Sequence, residues 1–470
     1  MPINCKQKMK NKNNSYWLTC FSDQRYGLPV NTSGVRTEYE RDYDRIIFSS
    51  AFRRLQNKTQ VFPLPKHIFV HNRLTHSLEV ASVGRSLGKI IGKHIAAMPE
   101  VDQNDEARRF YRNHLKSVIA AAALAHDLGN PAFGHSGEEA ISKFFKENSD
   151  PNLKKLFSAD EWADLTNFEG NANALRILTR QYPGRLVGGF RLTYATLSSI
   201  LKYPCSSRQS KGKKGPLHLK KYGYFQTEKN VFNDVAKATG MIPDPANKGA
   251  YFRHPFVYLV EAADDICYNI IDFEDAHRLK ILSTNYVADT FLKIIKLNKT
   301  EKMAQVKSTC KILEEDPNEL IGYLRAKAIN YLALSVSQEF ISNIDSIAKG
   351  AYKGSLYSNL KDVRSVLEEI EKVSYDKIYN YPSVAKIELA GFQIMSTLVE
   401  KFIEAALTKE EDRIKRHKKI LELLPAQHRF NESDSAYVKA MIIIDYISGM
   451  TDLYALELYN NITGIEMPGF

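Results

Sequence analysis

Residues 115–127 read LKSVIAAAALAHD, and from Val118 onward the stretch is apolar on nearly every side of a helical wheel. A helix without a polar face has to be surrounded by other helices, so this segment is the expected centre of an all-α fold. Its last two residues, His126 and Asp127, are metal-ligand types, and Leu128, Gly129, Asn130 and Pro131 then stop the helix. The unpaired carbonyls at such an end carry partial negative charge, which favours a cation beside the imidazole and carboxylate. Taken alone, the pair also reads as a capping histidine beside a solvated aspartate.

Working outward, residues 39–54 read as one helix in which charged residues alternate with Ile46, Ile47 and Phe48. Residues 59–62 are a short extended piece closed by Pro63 and Pro65, and a helix follows over 75–95. Residues 205–216, CSSRQSKGKKGP, have the composition of a mobile loop, and 222–226 reads as a short strand. Helical periodicity returns over 253–282. From 316 to 459 it continues as successive amphipathic helices with breaks at Pro382 and Pro425. The expected organisation is an N-terminal arm (1–33), a helical core (34–290) and a C-terminal helical region packed on that core (291–470).

Of the 470 residues 44% are hydrophobic and 25% charged, which excludes disordered and collagenous classes. The five cysteines are scattered without a CxxC pair, so neither a disulfide framework nor a thiolate zinc site is indicated. The polar start lacks a secretory apolar segment, and the longest apolar run, 118–125, is far short of the ~20 residues that cross a bilayer. These features read as a soluble cytoplasmic protein without a membrane partner. A net charge of +11 suits either nucleic acid or a pocket for a small polyanion.

Other residues can join His126 and Asp127. His76 stands near the start of the second helix, and Asp264 lies among Phe256, Leu259, Val260, Ala263, Ile266 and Ile270, where a carboxylate needs a cation. Asp264, Tyr268 and Asp272 are four apart and share one helical face, which a bland reading would pair with arginines. His135 and Glu138 are three apart at a helix start, close enough for the carboxylate to orient the imidazole. The competing reading there makes Ser136 and Glu139 a capping box and Glu138 a first-turn acid.

Six blocks in order, residues 36–62 (including RDYDRIIFSSAFRRLQNKTQVF), 73–80 (RLTHSLEV), 122–138 (AALAHDLGNPAFGHSGE), 167–176 (NFEGNANALR), 261–276 (EAADDICYNIIDFEDA) and 445–455 (DYISGMTDLYA), resemble the HD-domain deoxynucleoside triphosphate triphosphohydrolases, the dGTPase family. The resemblance implies an HD-domain helical fold with an appended C-terminal helical region. It implies metal-dependent hydrolysis of a dNTP, dGTP foremost, to a deoxynucleoside and tripolyphosphate. His76, His126, Asp127 and Asp264 would hold a divalent Mn, Mg, Fe or Ni ion, and His135 with Glu138 would be the catalytic pair. Gln60 and Tyr268 would read the deoxyribose 3′-hydroxyl, with Asp272 one turn beyond on the sugar side. Arg73 and Asn171 would reach the phosphates, as would Lys202, Lys220 and Lys221. Leu453 stands where relatives often carry a basic residue, a departure that removes any phosphate contact from that position. The family also implies a homo-oligomer, a hexamer, with single-stranded DNA or dNTP as effectors. The rivals are an HD-superfamily nucleotidase or phosphodiesterase, and a nucleic-acid-binding regulatory HD protein.

Overall fold

The computed structural model describes residues 16–28, 36–62, 70–148, 150–183 and 187–466. It is all-α: among the described residues the only extended pairings are isolated bridges such as Thr59 with Asn72. The Leu115–Ala125 helix is buried from Val118 to its end, and each fully buried leucine or isoleucine there contributes about 1.5–3 kcal/mol. It lies against the Arg73–Ala96 helix, which meets it through glycines. A Cβ on Gly88 would come within 2.8 Å of the Lys116 Cα, and one on Gly92 within 2.2 Å of the Tyr111 carbonyl oxygen. Larger residues would push the two helices apart and separate the ends that carry His76 and His126.

The Pro255–Arg278 helix, started by proline in its first turn, completes this layer and is buried along most of its length. The apolar core forms two clusters that do not follow chain order. One runs from Trp17 to Val384, while the other joins Ala132 to Ala172 and Cys205 to Ala250 with Ile394 to Leu458. The helices Pro382–Leu407, Ala436–Ser448 and Asp452–Thr463 thus close over the segment that follows His126. Arg176 fastens this closure: its Nε and Nη2 donate to the two Asp445 oxygens at 2.7 and 2.8 Å. Arg180 also pairs with Asp445, and removing one partner from so buried a pair typically costs about 3–5 kcal/mol.

Several local expectations are corrected. Residues 39–54 form two helices, Glu38–Ile47 and Ser50–Arg54, because the Ser49 hydroxyl accepts from the Phe52 N–H and starts a second one. Residues 222–226 are not a strand; Tyr224 makes one bridge, to Ser206, and a 3-10 turn begins at Gln226. The 205–216 segment contains two 3-10 turns and is tied down at its start, where Cys205 is buried and Ser207 donates to the buried Asp164 at 2.5 Å. In the expected N-terminal arm, Trp17 and Cys20 are core residues and Arg25 pairs with Glu38 and Asp42. Residues 1–15 and 29–33 of that arm, the next two residues 34–35, and Pro63 and Pro65, lie outside the described residues. No helix among the described residues is long and apolar enough to cross a membrane.

Candidate active site and metal centre

Three helices deliver the four expected metal ligands to one place. Asn72 caps the Arg73–Ala96 helix by accepting from Thr75 N–H at 3.0 Å, which fixes His76 in its first turn. His126 ends the central helix with its Nδ1 2.6 Å from the Ala123 carbonyl oxygen; donation there leaves Nε2 facing the carboxylates. Ligand atoms of His76, His126 and Asp127 all lie within 4.8 Å of one another. From the third helix, Asp264 Oδ1 stands 3.0 Å from His76 Nε2 and 3.5 Å from His126 Nε2.

The electrostatics call for a cation. Burial would lower the His126 pKa, yet Asp127 and Asp264 beside it raise it to about 9. Burial would likewise raise Asp264, but His126 and His76 hold it well below the ordinary carboxylate range. Two close carboxylates are thus balanced by a proton that a divalent ion can replace. Two imidazoles and two carboxylates suit such an ion with positions left open.

The next turn sets the expected catalytic pair, His135 and Glu138. Phe133 and Gly134 have φ of +58° and +56°, and the His135–Glu147 helix starts from Gly134 without a side-chain cap. Ser136 is therefore already inside the helix, and the Ser136–Glu139 capping box does not form. His135 opens toward the cavity. Its desolvation, with Lys221 and Arg73 nearby, lowers its pKa below the usual value and keeps it neutral at pH 7. Glu138 does not bond to His135: its Oε1 accepts from the Gly170 N–H at 2.7 Å. Burial and the neighbouring Glu169 raise the Glu138 pKa to about 7. In place of the expected orienting contact, a neutral imidazole and a carboxyl with a raised pKa stand one turn apart.

These groups share a cavity of about 520 Å³ that Gln60, Arg73, Asn171, Lys202, Lys220, Lys221 and Tyr268 also line. Its cations are held by carboxylates: Arg73 Nη1 donates to Asp127 at 2.8 Å, Lys202 stands 3.2 Å from Glu261, and Lys221 donates to Glu169 at 3.0 Å. Asn171 Nδ2 donates to the same Glu169 at 2.6 Å. Gln60 Oε1 and Arg73 Nε are buried without a hydrogen-bond partner, as polar groups awaiting a ligand would be. A second cavity of about 220 Å³ shares Gln60, Arg73, His135 and Tyr268 and adds Tyr379, Val384 and Glu388.

Asp272, expected on the sugar side, lies just behind the rings that line the recess. It lines neither cavity, is 4% exposed, and accepts from the Tyr379 hydroxyl at 2.8 Å. Its helical face is shared with Tyr268, but Tyr379, whose ring lies 5.7 Å from that of Tyr268 at 25°, covers it. Leu453 is 64% exposed and also lines neither cavity. The sequence reading missed Tyr379, which no motif marks, and Glu169, which lay in a quoted block and precedes a helix as its cap. It also missed Lys58, buried with its Nζ donating to the Asn130 and Ser448 carbonyls at 2.6 and 3.0 Å.

A family model described as the HD domain matches residues 73–183, and one described as a phosphohydrolase-associated domain matches 360–461. A deoxyguanosinetriphosphate triphosphohydrolase-like protein of Synechocystis sp. is 38% identical, covering 92% of this chain and 95% of that protein. One of Pseudomonas aeruginosa is 34% identical over 96% and 99%. The deoxyguanosinetriphosphate triphosphohydrolase of Salmonella typhimurium is 30% identical over 94% and 97%.

Proposed function

The chain belongs to the HD-domain deoxyguanosinetriphosphate triphosphohydrolase family of hydrolases, and on that footing we propose that it hydrolyses a dNTP, dGTP foremost, to deoxynucleoside and tripolyphosphate. The observation that carries this reading is the joining of the metal-ligand cluster, a set of phosphate-sized cations and a sugar-sized recess in two adjoining cavities. His76, His126, Asp127 and Asp264 would hold a divalent ion, which when bound would supply Lewis-acid charge and lower the pKa of water.

The chain's own residues do the rest. Arg73, Lys202, Lys220 and Lys221 neutralise the triphosphate, exchanging carboxylate partners for phosphate oxygens. Gln60 offers its unpartnered Oε1 to the 3′-hydroxyl, and Asp272, one turn beyond Tyr268 on the sugar side, accepts from the Tyr379 hydroxyl. Water attacks the α-phosphorus, the bond to the 5′-oxygen breaks, and one proton passes from the water to the departing oxygen. Neutral His135 accepts a proton and the Glu138 carboxylic acid provides one. Glu388 lines the smaller recess, where its carboxylate would accept from the N1–H and 2-amino donors that guanine carries side by side. The same reading includes a cytoplasmic homo-oligomer, a hexamer, with single-stranded DNA or dNTP as effectors; exposed Leu453, Tyr454 and Leu456 supply apolar surface for self-association.

The test is anion-exchange analysis of products from a panel of dNTPs and NTPs with Mn or Mg. Equal amounts of deoxynucleoside and tripolyphosphate are expected; orthophosphate or pyrophosphate would reject the reading. In the same panel Tyr268→Ala should raise activity on GTP relative to dGTP by roughly tenfold or more, because the ring that crowds C2′ is gone. An unchanged ratio would place sugar discrimination elsewhere.

The pH profile follows from the two shifted groups. A base with a pKa below 6.5 gains activity as pH rises through its value, and an acid with a pKa of about 7 loses it as pH rises further. kcat/KM should form a narrow bell peaking near neutrality, and Glu138→Gln should remove the alkaline limb. An alkaline limb that survives in Glu138→Gln would assign it to another group.

A further inference from the structure

We propose that Asp452, at the far end of the chain, is a positioning residue that sets the aim of His135 and the placement of Gln60; this rests on the dNTP hydrolase reading above. Asp452 is 8% exposed and opens the Asp452–Thr463 helix, where an acid would ordinarily do no more than favour the helix dipole. Its two oxygens instead reach across to two separate segments. Oδ2 accepts from the Thr59 N–H at 2.8 Å, and Oδ1 accepts from the Phe133 N–H at 3.0 Å. Thr59 immediately precedes Gln60, and Phe133 stands two residues before His135. One carboxylate thus bridges the backbone of the sugar-reading segment to that of the turn leading into the catalytic helix.

That turn needs to be held. A phenylalanine with φ of +58° is outside its preferred backbone region and persists only where the surroundings over-determine it. Two constraints act on Phe133: the bond to Asp452, and the Gly391 backbone, where a Cβ would fall 2.4 Å from the Phe133 side chain. The same C-terminal turn grips the other end of the loop. Lys58 joins the Asn130 and Ser448 carbonyls, and Asn173 Nδ2 donates to the Gly129 carbonyl and the Ser448 hydroxyl at 2.8 and 3.3 Å. Without Asp452, the Phe133 N–H loses its acceptor and the Phe133–Gly134 pair can relax, which swings the first residue of the helix, His135. Asp452 lines neither cavity, so it acts through these residues and does not touch substrate.

The experiment is a double-mutant cycle on the full chain. Asp452→Ala should lower kcat by about 10- to 100-fold, the range for a misplaced catalytic group, and raise KM a few-fold through Gln60, with metal content as in the wild type. In the His135→Ala background it should change kcat by no more than about twofold, because the residue it positions is absent. Asp452→Asn, which keeps one carbonyl acceptor, should recover part of the loss and serves alone if the alanine variant does not fold. Glu457→Ala, at an exposed position of the same helix, should match the wild type. An equal fold-loss in both backgrounds, or a loss accompanied by depleted metal, would make Asp452 merely structural and overturn the proposal.

If the unmodified enzyme hydrolyses no dNTP, the functional reading fails, and Asp452 is judged by histidine-ring NMR. The His135 signal, assigned by its disappearance in His135→Ala, should move in Asp452→Ala and return toward its original place in Asp452→Asn. A His135 signal unmoved by Asp452→Ala would end the proposal.

Discussion

Asp127→Ala is expected to lose both the bound divalent ion and all measurable turnover, at least about three orders of magnitude. The size follows from the several kcal/mol that a Lewis acid contributes to stabilising developing charge, with each 1.36 kcal/mol worth tenfold in rate. Asp127 is the centre of the cluster: it stands 3.6 Å from His126 Nε2, accepts from Arg73 at 2.8 Å and from Asn130 Nδ2 at 2.5 Å. Its removal therefore also strands the Arg73 guanidinium, which is 7% exposed, and some thermal stability should go with it. Asp127→Asn separates the two effects, since its carbonyl can still accept from Arg73 while the charge needed for the metal is gone. Metal analysis after dialysis, circular dichroism and product release on both variants decide the matter. Stoichiometric metal retained in either would remove Asp127 from the ligand set.

His135→Ala should behave oppositely toward the metal. Its helix begins beyond the Phe133–Gly134 turn, clear of the four ligands, so the ion should remain and dNTP affinity stay near normal. Turnover should fall by roughly two to four orders of magnitude, the usual span for a positioned acid or base. Glu138→Ala should lose less, because neutral His135 can still accept a proton. A purely structural His135 would have been expected to support a cap, but Gly134 starts this helix without any side-chain bond. Metal content, dNTP affinity and single-turnover rate on one preparation form the test, and a catalytically normal His135→Ala enzyme would sink the proton-transfer role.

Much of the site was legible in the chain because its determinants are local. The all-apolar run ending in His126 and Asp127 specifies a buried helix whose end faces a cavity, since a helix without a polar face has no other stable environment. Asn72 before Arg73, and Pro255 at the start of the helix bearing Asp264, set helix starts that fix where His76 and Asp264 fall. The ordered blocks contain Gln60, Arg73, Asn171 and Tyr268, and these line one cavity together with Lys202, Lys220 and Lys221, which lie outside the blocks. Helical periodicity likewise placed Asp272 on the face of Tyr268.

What periodicity cannot encode is which distant side chain arrives on that face. Tyr379, 107 residues beyond Asp272, donates its hydroxyl to that carboxylate at 2.8 Å. Spacing put Glu138 within reach of His135, but the Gly170 N–H, brought in by a different helix, claims the carboxylate. Asp452 lies in a quoted block without a role that spacing assigns, and only packing carries it across 319 residues to the Phe133 N–H. A hydrogen bond depends on a few tenths of an ångström between chain segments whose meeting is decided by the whole core. The sequence by itself therefore determined the all-α class and the family, while tertiary structure decided which distant group meets each carboxylate, because such meetings depend on the packing of the whole core.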